Sequence, residues 1–288
     1  MRALVSLLAA AALGLAPAAA QDSPVGKLDR EVTELLGEDA RLIVGGGLGA
    51  ITQPYVGADD VRYVPEPLII YQNERFEFIG RTVGFELWSN DQVDVAAIGE
   101  WRFFGHDAGD DSPVLDGMAQ RDGTAEAGLR ARFGKDRLRG ALAAKADILS
   151  RHGGYELEAR ASYELSTWLP LSVRPNAGVR YQSDSLTDYY FGVDPEEARS
   201  QVCAAVVGDG CVAFDRPAYE TGAAVTPFLG VTARQSLSRK VAVVGGFDHI
   251  VFDDAVKDSP IVDADGQTFA FVGLIYIFGN ATGADAAH

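Results

Sequence analysis

The sequence predicts an all-β protein: an antiparallel transmembrane β-barrel of twelve strands with a short N-terminal periplasmic helix. Three observations predict this class. Apolar and charged residues alternate over runs of about 10 to 14 residues, the length that a tilted strand needs to cross a bilayer. The same alternation returns along the chain without helical segments to cover the apolar faces. Past the N-terminal segment, no run approaches the ~18 uncharged apolar residues of a membrane helix. Lipid outside and a polar lumen inside account for all three.

The clearest alternation lies between Tyr155 and Leu165, where every second residue is apolar. Runs 93–103, 125–133, 138–148 and 171–181 repeat it. A soluble two-sheet sandwich is the alternative that such a pattern permits. Acids and bases nearly balance at the inward positions of these runs. Interleaved opposite charges pair across strands, so we expect a narrow lumen rather than a wide channel.

Eleven segments have strand character, whereas a bacterial single-chain barrel has an even number of strands. The third segment, 75–88, changes parity, because Phe76 and Phe78 share one face while Phe85 and Leu87 fall on the other. A bulge near Gly80 or a division into two shorter strands explains that change. We therefore predict twelve strands, with ten as the alternative. The segments are 41–52, 61–72, 75–88, 92–104, 123–134, 137–149, 154–166, 170–182, 218–234, 239–251 and 267–278.

The N-terminal residues have the pattern of export. Residues 1–20 contain a basic start, an apolar core and a small-residue cleavage site, so we expect a signal peptide. We divide the remainder into a periplasmic segment, 21–40, the barrel, 41–278, and a tail, 279–288. In the periplasmic segment, helical spacing places one apolar stripe on a single face: Leu28, Val32, Leu35 and Leu36. This stripe can dock on the barrel, and our functional hypothesis is that it docks a partner protein.

The charge balance restricts the partners. The chain has a net charge of −16, which becomes −17 without Arg2 of the signal segment, and this excludes nucleic acid as the expected partner. Most of the negative charge lies in four long connections, 53–60, 105–123, 183–217 and 253–266, which hold 19 acids and four bases. We expect these loops to be solvated, or to approach lipopolysaccharide and outer membrane lipid through divalent cations.

Chemistry-bearing residues are few. Cys203 and Cys211 lie in the longest connection, and in an oxidising compartment we expect them to form a disulfide. Ser150 and His152 are a weak nucleophile and base candidate, because no nucleophile elbow surrounds the serine. We therefore predict no catalytic residues, no metal site and no cofactor.

Three groups of residues carry a family resemblance. They are Pro54, Tyr55, Gly57, Asp59 and Asp60 with Pro65 and Pro67; then Tyr190, Phe191, Gly192 and Val193; then Asp258, Ser259 and Pro260. In this order they resemble the MltA-interacting protein (MipA)/OmpV family of outer membrane proteins, over about residues 43 to 278. The Cys203 to Cys211 segment and the tail depart from that pattern.

The resemblance implies a non-enzymatic scaffold that links a lytic transglycosylase, a murein hydrolase, to a peptidoglycan synthase. The resemblance also allows a surface adhesin or a stress-related outer membrane protein. A small-solute pore is the alternative, and a lipid hydrolase using Ser150 and His152 is a third. The last strand, ending at Phe278, is similar to the signal that the barrel-assembly machinery reads during insertion.

Overall fold

The computed structural model describes residues 24–36, 40–103, 112–166, 171–207 and 210–278. Strands dominate and helices are short. The helices are α1 (Pro24–Leu36), α2 (Asp184–Phe191) and α3 (Asp254–Lys257), with a 3-10 turn at Pro113–Leu115. The strands are β1 (Arg41–Thr52), β2 (Val61–Gln72), β3 (Phe76–Ile79), β4 (Thr82–Ser89), β5 (Val93–Arg102), β6 (Thr124–Lys135), β7 (Leu138–Asp147), β8 (Tyr155–Tyr163), β9 (Leu165–Ser166), β10 (Leu171–Gln182), β11 (Arg199–Val207), β12 (Gly210–Arg216), β13 (Ala224–Ser236), β14 (Val241–Val251) and β15 (Gly266–Phe278).

The main sheet closes on itself as an antiparallel barrel. Each strand pairs with the next, β1 pairs with β15, and β10 pairs with β13 across the long connection that contains β11 and β12. The two-residue β9 continues β8 along the same edge of β10, so the wall has twelve strands. Closure removes the edges that would otherwise leave backbone groups unpaired in lipid. The predicted class and strand number are confirmed.

The parity change in the third predicted segment arises because this segment is divided into two shorter strands. The chain turns at Gly80, whose φ is +59°, and divides the segment into β3 and β4. Glycine suits this turn because it adopts positive φ without a steric penalty. Elsewhere the boundaries shift by a few residues. The predicted strand 218–234 begins at Ala224 and ends at Ser236, and α2, β11 and β12 occupy a stretch that we had expected to be an irregular connection.

Register assigns the two faces of the wall. Leu129 pairs with Ala97 and Ala144, and it is 54% exposed although it lies at mid-strand. Its neighbour on the other face, Gly128, pairs with Ile98 and Lys145, which are buried. Apolar side chains therefore cover the outside, and the inward positions form the lumen. This arrangement satisfies the alternation that the sequence predicted.

The two ends of the barrel differ in their connections. Short turns such as 136–137 join the strands at one end, and long segments such as 183–223 join them at the other. In barrels of this type, the short turns face the periplasm and the long loops face outward. Within the described ranges, no helix is long and apolar enough to cross a membrane.

The glycines of β1 mark a close approach between strands. A side chain at Gly45 would collide with the Leu274 carbonyl, and one at Gly47 would collide with the Val272 carbonyl. β1 and β15 can pack this tightly only because both positions lack a Cβ.

Candidate functional site: a capped lumen with one charged wall

A cluster of buried ion pairs occupies the outer half of the lumen on strands β5 to β8. Arg102 places its Nε 2.9 Å from Glu126 Oε1 and its Nη2 2.9 Å from Glu156 Oε2. Lys145 Nζ lies 2.9 Å from Glu100 Oε2 and 3.1 Å from Glu156 Oε1. Glu126 and Glu156 are almost fully buried. Every carboxylate here faces a cation, as the charge balance of the inward positions predicted.

A second group of pairs lies nearer the periplasmic end. Glu77 on β3 accepts hydrogen bonds from Arg130 and Arg132, and Arg132 also lies 2.9 Å from Asp94. These contacts join β3, β5 and β6 across the lumen side of the wall. Because one carboxylate is held by two guanidinium groups, the loss of either arginine leaves the other in place.

Glu158 on β8 repeats this arrangement. Arg160 and Arg180 contact its two oxygens at 3.0 and 2.8 Å. Both guanidinium groups also lie over the ring of Phe228, at 4.7 and 4.6 Å from its centroid. A cation over an aromatic face is attracted by the ring quadrupole, so Phe228 helps to hold the two arginines in the lumen.

The opposite wall is apolar, which corrects the expectation of a polar lumen all round. Ile43, Ile275, Ile277 and Ala242 form a buried inward cluster. Leu68, Ile70 and Val244 pack against it from the neighbouring strands. Charge is therefore confined to one side of the interior. The alternating runs that predicted a polar lumen all lie on the charged side of the barrel.

Packed loops cap the outer end of the barrel. Their buried apolar cluster draws on four connections. Its members are Tyr55, Val114, Leu115, Met118, Leu186, Tyr190, Phe191, Val193, Ala224, Phe252, Val256, Ile261 and Val262. We call this structure the lid. Loops of this length ordinarily run over the surface, so a shared core indicates that they form a defined closure.

The residues of the three sequence motifs meet in the lid. The Tyr55 hydroxyl donates to the Tyr190 carbonyl at 3.5 Å, and the Tyr55 ring lies 6.4 Å from that of Phe191. The Ser259 hydroxyl donates to the Phe191 carbonyl at 2.6 Å. Val56 N–H donates to the Ile261 carbonyl at 3.0 Å. The motifs thus have a common structural role, although they are far apart in sequence.

Other motif residues shape the same loops. Gly57 has a φ of +73° in the turn of the first loop, and Asp60 accepts a hydrogen bond from Gln53 N–H through its carbonyl. Gly192 ends α2, and its N–H donates to the Asp188 carbonyl at 2.7 Å. The Asp258 N–H closes α3 by donating to the Asp254 carbonyl. Asp59 and Pro260 lie in the same two loops.

Arg216 holds the lid together, a role that could not be predicted from the residues around it in the chain. Its side chain is fully buried and donates to the carbonyls of Val114, Asp116 and Glu197. Burial lowers its pKa. The expectation that the charges of this connection are solvated is therefore wrong for Arg216. Arginine can fill this position because its five donors form a planar fork that several carbonyls can share.

Directly beneath the lid, His152 joins the loops to the charged wall. Its Nδ1 accepts from the Gly154 N–H at 3.0 Å, and its Nε2 faces Glu126 Oε1 at 3.5 Å. The rings of Tyr189 and Tyr190 lie about 6 Å from the imidazole. Both ring nitrogens therefore face groups other than Ser150. This geometry gives the Ser150 and His152 pair no support as a nucleophile and its base.

A cavity of about 470 Å³ opens at the periplasmic end of the lumen. Its lining includes Arg132, Arg139, Arg160 and Arg174 together with Asn176. Arg132, Arg160 and Arg174 each contact a carboxylate, so the lining is close to electrically neutral. Within the described ranges, no three His, Cys, Asp or Glu residues are grouped to hold a metal ion.

The cysteine side chains lie outside the described residues, although their backbones belong to the β11–β12 hairpin. In that hairpin Cys203 pairs with Ala213, and Cys211 pairs with Val206. The disulfide stays a prediction. The predicted signal peptide, residues 1–20, and the predicted tail, 279–288, also lie outside the described residues.

Helix α1 lies on the periplasmic rim. Its Asp29 accepts two hydrogen bonds, of 2.7 and 2.8 Å, from Lys240 in the turn between β13 and β14. The helix also contacts β15. Leu28, Val32 and Leu36 are partly buried, whereas Leu35 is 86% exposed. One residue of the predicted apolar stripe, Leu35, is therefore exposed to solvent.

The closed wall, the apolar outer face and the polarity of the loops define a barrel of the outer membrane type. The sequence profile of the MltA-interacting protein MipA family matches residues 44–278. The chain belongs to this family, as the three motifs indicated.

Curated relatives are of similar length. The chain is 28% identical over 246 residues to the MltA-interacting protein of Escherichia coli strain K12, covering 83% of this chain and 91% of that protein. It is 26% identical over 238 residues to the putative outer membrane protein YiaT of the same strain, covering 81% and 89%. It is 24% identical over 169 residues to the outer membrane protein Omp26La of Vibrio anguillarum, covering 59% and 60%.

Solved structures of outer membrane proteins align with most of the chain at low similarity. The NanC porin aligns with a TM-score of 0.38 and 7% identity over 82% of this chain and 98% of the porin. OmpT of Vibrio cholerae, folded in vitro, aligns with a TM-score of 0.34 and 6% identity over 83% and 97%.

Proposed function

We propose that this protein is a non-enzymatic outer membrane scaffold that holds a lytic transglycosylase near a peptidoglycan synthase. Membership of the MipA family supports this proposal, since one relative is named for its interaction with MltA. The observation that carries it is the position of Leu35. A large apolar side chain, 86% exposed on a helix anchored at the periplasmic rim, is suited to insertion into a groove of a partner.

The rim is the part of the barrel that a periplasmic enzyme can reach. The short turns present little surface, and α1 adds a helical face beside them. Asp29 fixes the helix through Lys240, which leaves Leu35 free to contact another protein. Binding energy concentrated in a few apolar anchors is usual in helix-in-groove interfaces.

Affinity capture from detergent-solubilised envelopes, with mass spectrometry, tests the proposal. The full-length protein should recover a murein hydrolase and a peptidoglycan synthase. Deletion of residues 22–40, or Leu35→Glu, should abolish that recovery, while Glu34→Gln on the exposed side of the same helix should not. The folded barrel should keep its heat-modifiable migration in every variant. Unchanged recovery from the deletion variant would show that the helix is not the docking element.

A small-solute pore is the second candidate, and the cavity that opens at the periplasmic end favours it. The lid and the paired charges of the wall argue for low conductance. In planar bilayers, the unmodified protein should give only small or rare currents. Large and stable unitary currents would favour the pore over the scaffold.

A further inference from the structure

Two phenylalanines of β15 lie over glycines on the inner face of the barrel. Phe269 and Phe271 are an even number of positions from the inward Ile275, so they share its face of the strand. A side chain at Gly246 of β14 would collide with the ring of Phe271, and one at Gly49 of β1 would lie 3.0 Å from the ring of Phe269. The two rings therefore fill space that side chains on the neighbouring strands would otherwise take.

These two rings form one aromatic surface, which we call the platform. Their centroids are 5.8 Å apart, and their planes differ by 23°. Both side chains are partly exposed, whereas Ile275 and Ile277, nearer the periplasm, are buried. Because the platform lies on the inner face, its exposed area is turned toward the lumen and not toward lipid. Aromatic surface is thus accessible from inside the barrel.

A row of paired residues connects the platform to the cavity at the periplasmic end. Phe271 pairs with Gly246, and Gly246 pairs with Thr232 on β13. Thr232 lines the cavity, and so does its other partner, Arg174. The ring of Phe271 lies over Gly246, which stands between Phe271 and Thr232. The platform and the cavity are therefore neighbouring parts of one inner surface.

Charged side chains border the platform. Arg234 and Asp248 occupy the next inward positions on β13 and β14. Asp248 and the cavity residue Asn176 both extend over Gly230, where an added side chain would collide with their Oδ1 and Nδ2 atoms. Across β1, the inward Glu66 of β2 is two strands away. The platform is thus an aromatic surface set among polar groups.

The cavity itself offers many hydrogen-bonding groups. Arg160 donates its Nε–H to Glu158, and within the described ranges its other guanidinium donors form no hydrogen bond. Asn176 Oδ1 is buried and accepts no hydrogen bond from a described residue. The lining also has the hydroxyls of Ser162 and Thr232 and further charged side chains of both signs: Asp91, Asp94, Asp136, Arg132, Arg139 and Arg174. A ligand here meets donors and acceptors rather than a field of one sign.

We propose that the platform and the cavity form a binding site for a neutral saccharide that enters from the periplasm. The C–H groups of a sugar ring carry partial positive charge and pack against an aromatic ring, while the hydroxyls both donate and accept hydrogen bonds. An apolar ligand would leave Asn176 and Arg160 unsatisfied, and an anion would meet carboxylates such as Asp94 and Asp136. The volume of about 470 Å³ lies in the usual range for small-molecule sites. This site is inside the barrel, so it does not depend on the docking of a partner at Leu35.

Saturation-transfer NMR of the full-length protein tests the site. The protein is held in lauryldimethylamine oxide, which has no sugar headgroup, and is offered glucose, galactose, mannose, N-acetylglucosamine, maltose and cellobiose. Saturation should pass to the ring C–H protons of at least one of these sugars. Phe271→Leu should reduce that signal at least fivefold, whereas Phe271→Tyr should retain it. Phe247→Leu, on the lipid-facing side of β14, is the matched control and should leave the signal unchanged.

Asn176→Ala tests the cavity separately from the platform and should weaken the same signal at least fivefold. Heat-modifiable migration shows that each variant is folded. Absence of saturation transfer to all six sugars would overturn the proposal. A signal of equal strength in the parent, Phe271→Leu and Asn176→Ala would overturn it as well, because the sugar would then bind elsewhere.

The charge of the ligand is tested with glucuronate beside the neutral sugars. Binding of a neutral sugar should be the same at low and high salt, since no net charge is screened. Glucuronate should bind no more tightly than the best neutral sugar. If glucuronate bound more tightly than all six, and high salt abolished that binding, the cavity would be an anion site and the saccharide proposal would be wrong.

Discussion

The hydroxyl of Ser259 donates a hydrogen bond of 2.6 Å to the carbonyl oxygen of Phe191, 68 positions earlier in the chain. Both atoms are buried, and each residue belongs to a different sequence motif. The bond ties the loop before β15 to the end of α2. It explains why the motifs, which have no catalytic pattern, can matter together: they build the lid.

Replacing Ser259 with Ala should loosen the lid and leave the barrel intact. The substitution removes the hydrogen bond from Ser259 to the buried Phe191 carbonyl, a loss of about 1 to 3 kcal/mol. Hydrogen exchange should speed up in 186–193 and 254–262, while the barrel strands stay protected. Ser238→Ala, in a periplasmic turn, is the control and should change neither region. Unaltered exchange in the lid would contradict this role of Ser259.

The lid should also open at alkaline pH. Burial raises the pKa of Tyr190 above its ordinary value of 10, and its hydroxyl donates to the Asp122 carbonyl at 3.3 Å. The unfolded loop ionises this tyrosine near pH 10, whereas the closed lid holds it neutral. Its stabilising contribution is therefore complete below pH 10 and falls as the pH rises above that value.

Tyrosinate absorbance at 295 nm, followed from pH 8 to 13, measures this effect. The late-titrating part of the absorbance in the parent protein should decrease by one tyrosine in Tyr190→Phe. Protease cleavage within the lid should rise above about pH 10 in the parent, and less steeply in the variant, which cannot ionise at this position. If the two proteins gave the same late step, Tyr190 would not be the group concerned.

The two groups of ion pairs in the charged wall should differ in how much each arginine contributes to stability. Arg102→Ala leaves the buried Glu126 and Glu156 with Lys145 as their remaining cation, so we expect a loss of about 3 to 5 kcal/mol. When Arg130 and Arg160 are both replaced by Ala, the loss of stability at each site should be smaller. Glu77 and Glu158 each keep contact with a second arginine.

The temperature at which the folded gel band disappears ranks these variants. The expected order is parent, double variant and then Arg102→Ala, with the exposed Lys135→Ala equal to the parent. Bilayer recordings of the double variant should show little change in ion selectivity, because the pairs stabilise the wall rather than line a conducting path. A double variant as stable as the parent would contradict the structural role of these pairs.

The barrel could be predicted from the sequence because strand alternation is local. In a segment such as Tyr155 to Leu165, the alternation itself shows which residues lie on each face of the strand. The parity change at Gly80 is local in the same way. β15 is different. It is apolar on both faces, so its outward set ending at Phe278 was recognisable while its inward set, including Phe271 and Ile275, was not.

The lid could not be predicted, because its contacts join distant loops. Tyr55 reaches Tyr190, 135 positions away, and Arg216 reaches Val114, 102 positions away. The described hydrogen bonds of this buried arginine go to backbone carbonyls, and the sequence does not show which carbonyls lie near it.

The predicted disulfide can be tested through the reactivity of the two cysteine thiols. If Cys203 and Cys211 form a disulfide, the denatured, unreduced protein should contain no thiol that reacts with iodoacetamide. The loop between them is short, so the bond should contribute about 2 to 3 kcal/mol to the hairpin. A variant with both cysteines replaced by Ser should still insert and migrate as a folded barrel. Two reactive thiols without reductant would rule the bond out.

The anchoring of α1 predicts how the helix can be released from the rim. Lys240 Nζ lies 2.7 Å from Asp29 Oδ2, with both side chains partly exposed, so the ion pair should contribute about 0.2 to 1 kcal/mol. Lys240→Ala should therefore raise protease cleavage and hydrogen exchange in residues 24–36 without altering the strands. High salt should have the same effect on the parent protein, since it screens the pair.

Lys27→Ala, an exposed lysine on the helix itself, is the matched control and should leave cleavage unchanged. Equal protection of the helix in Lys240→Ala and the parent would mean that apolar contacts with β15 hold it, and the Asp29 anchor would then be incidental.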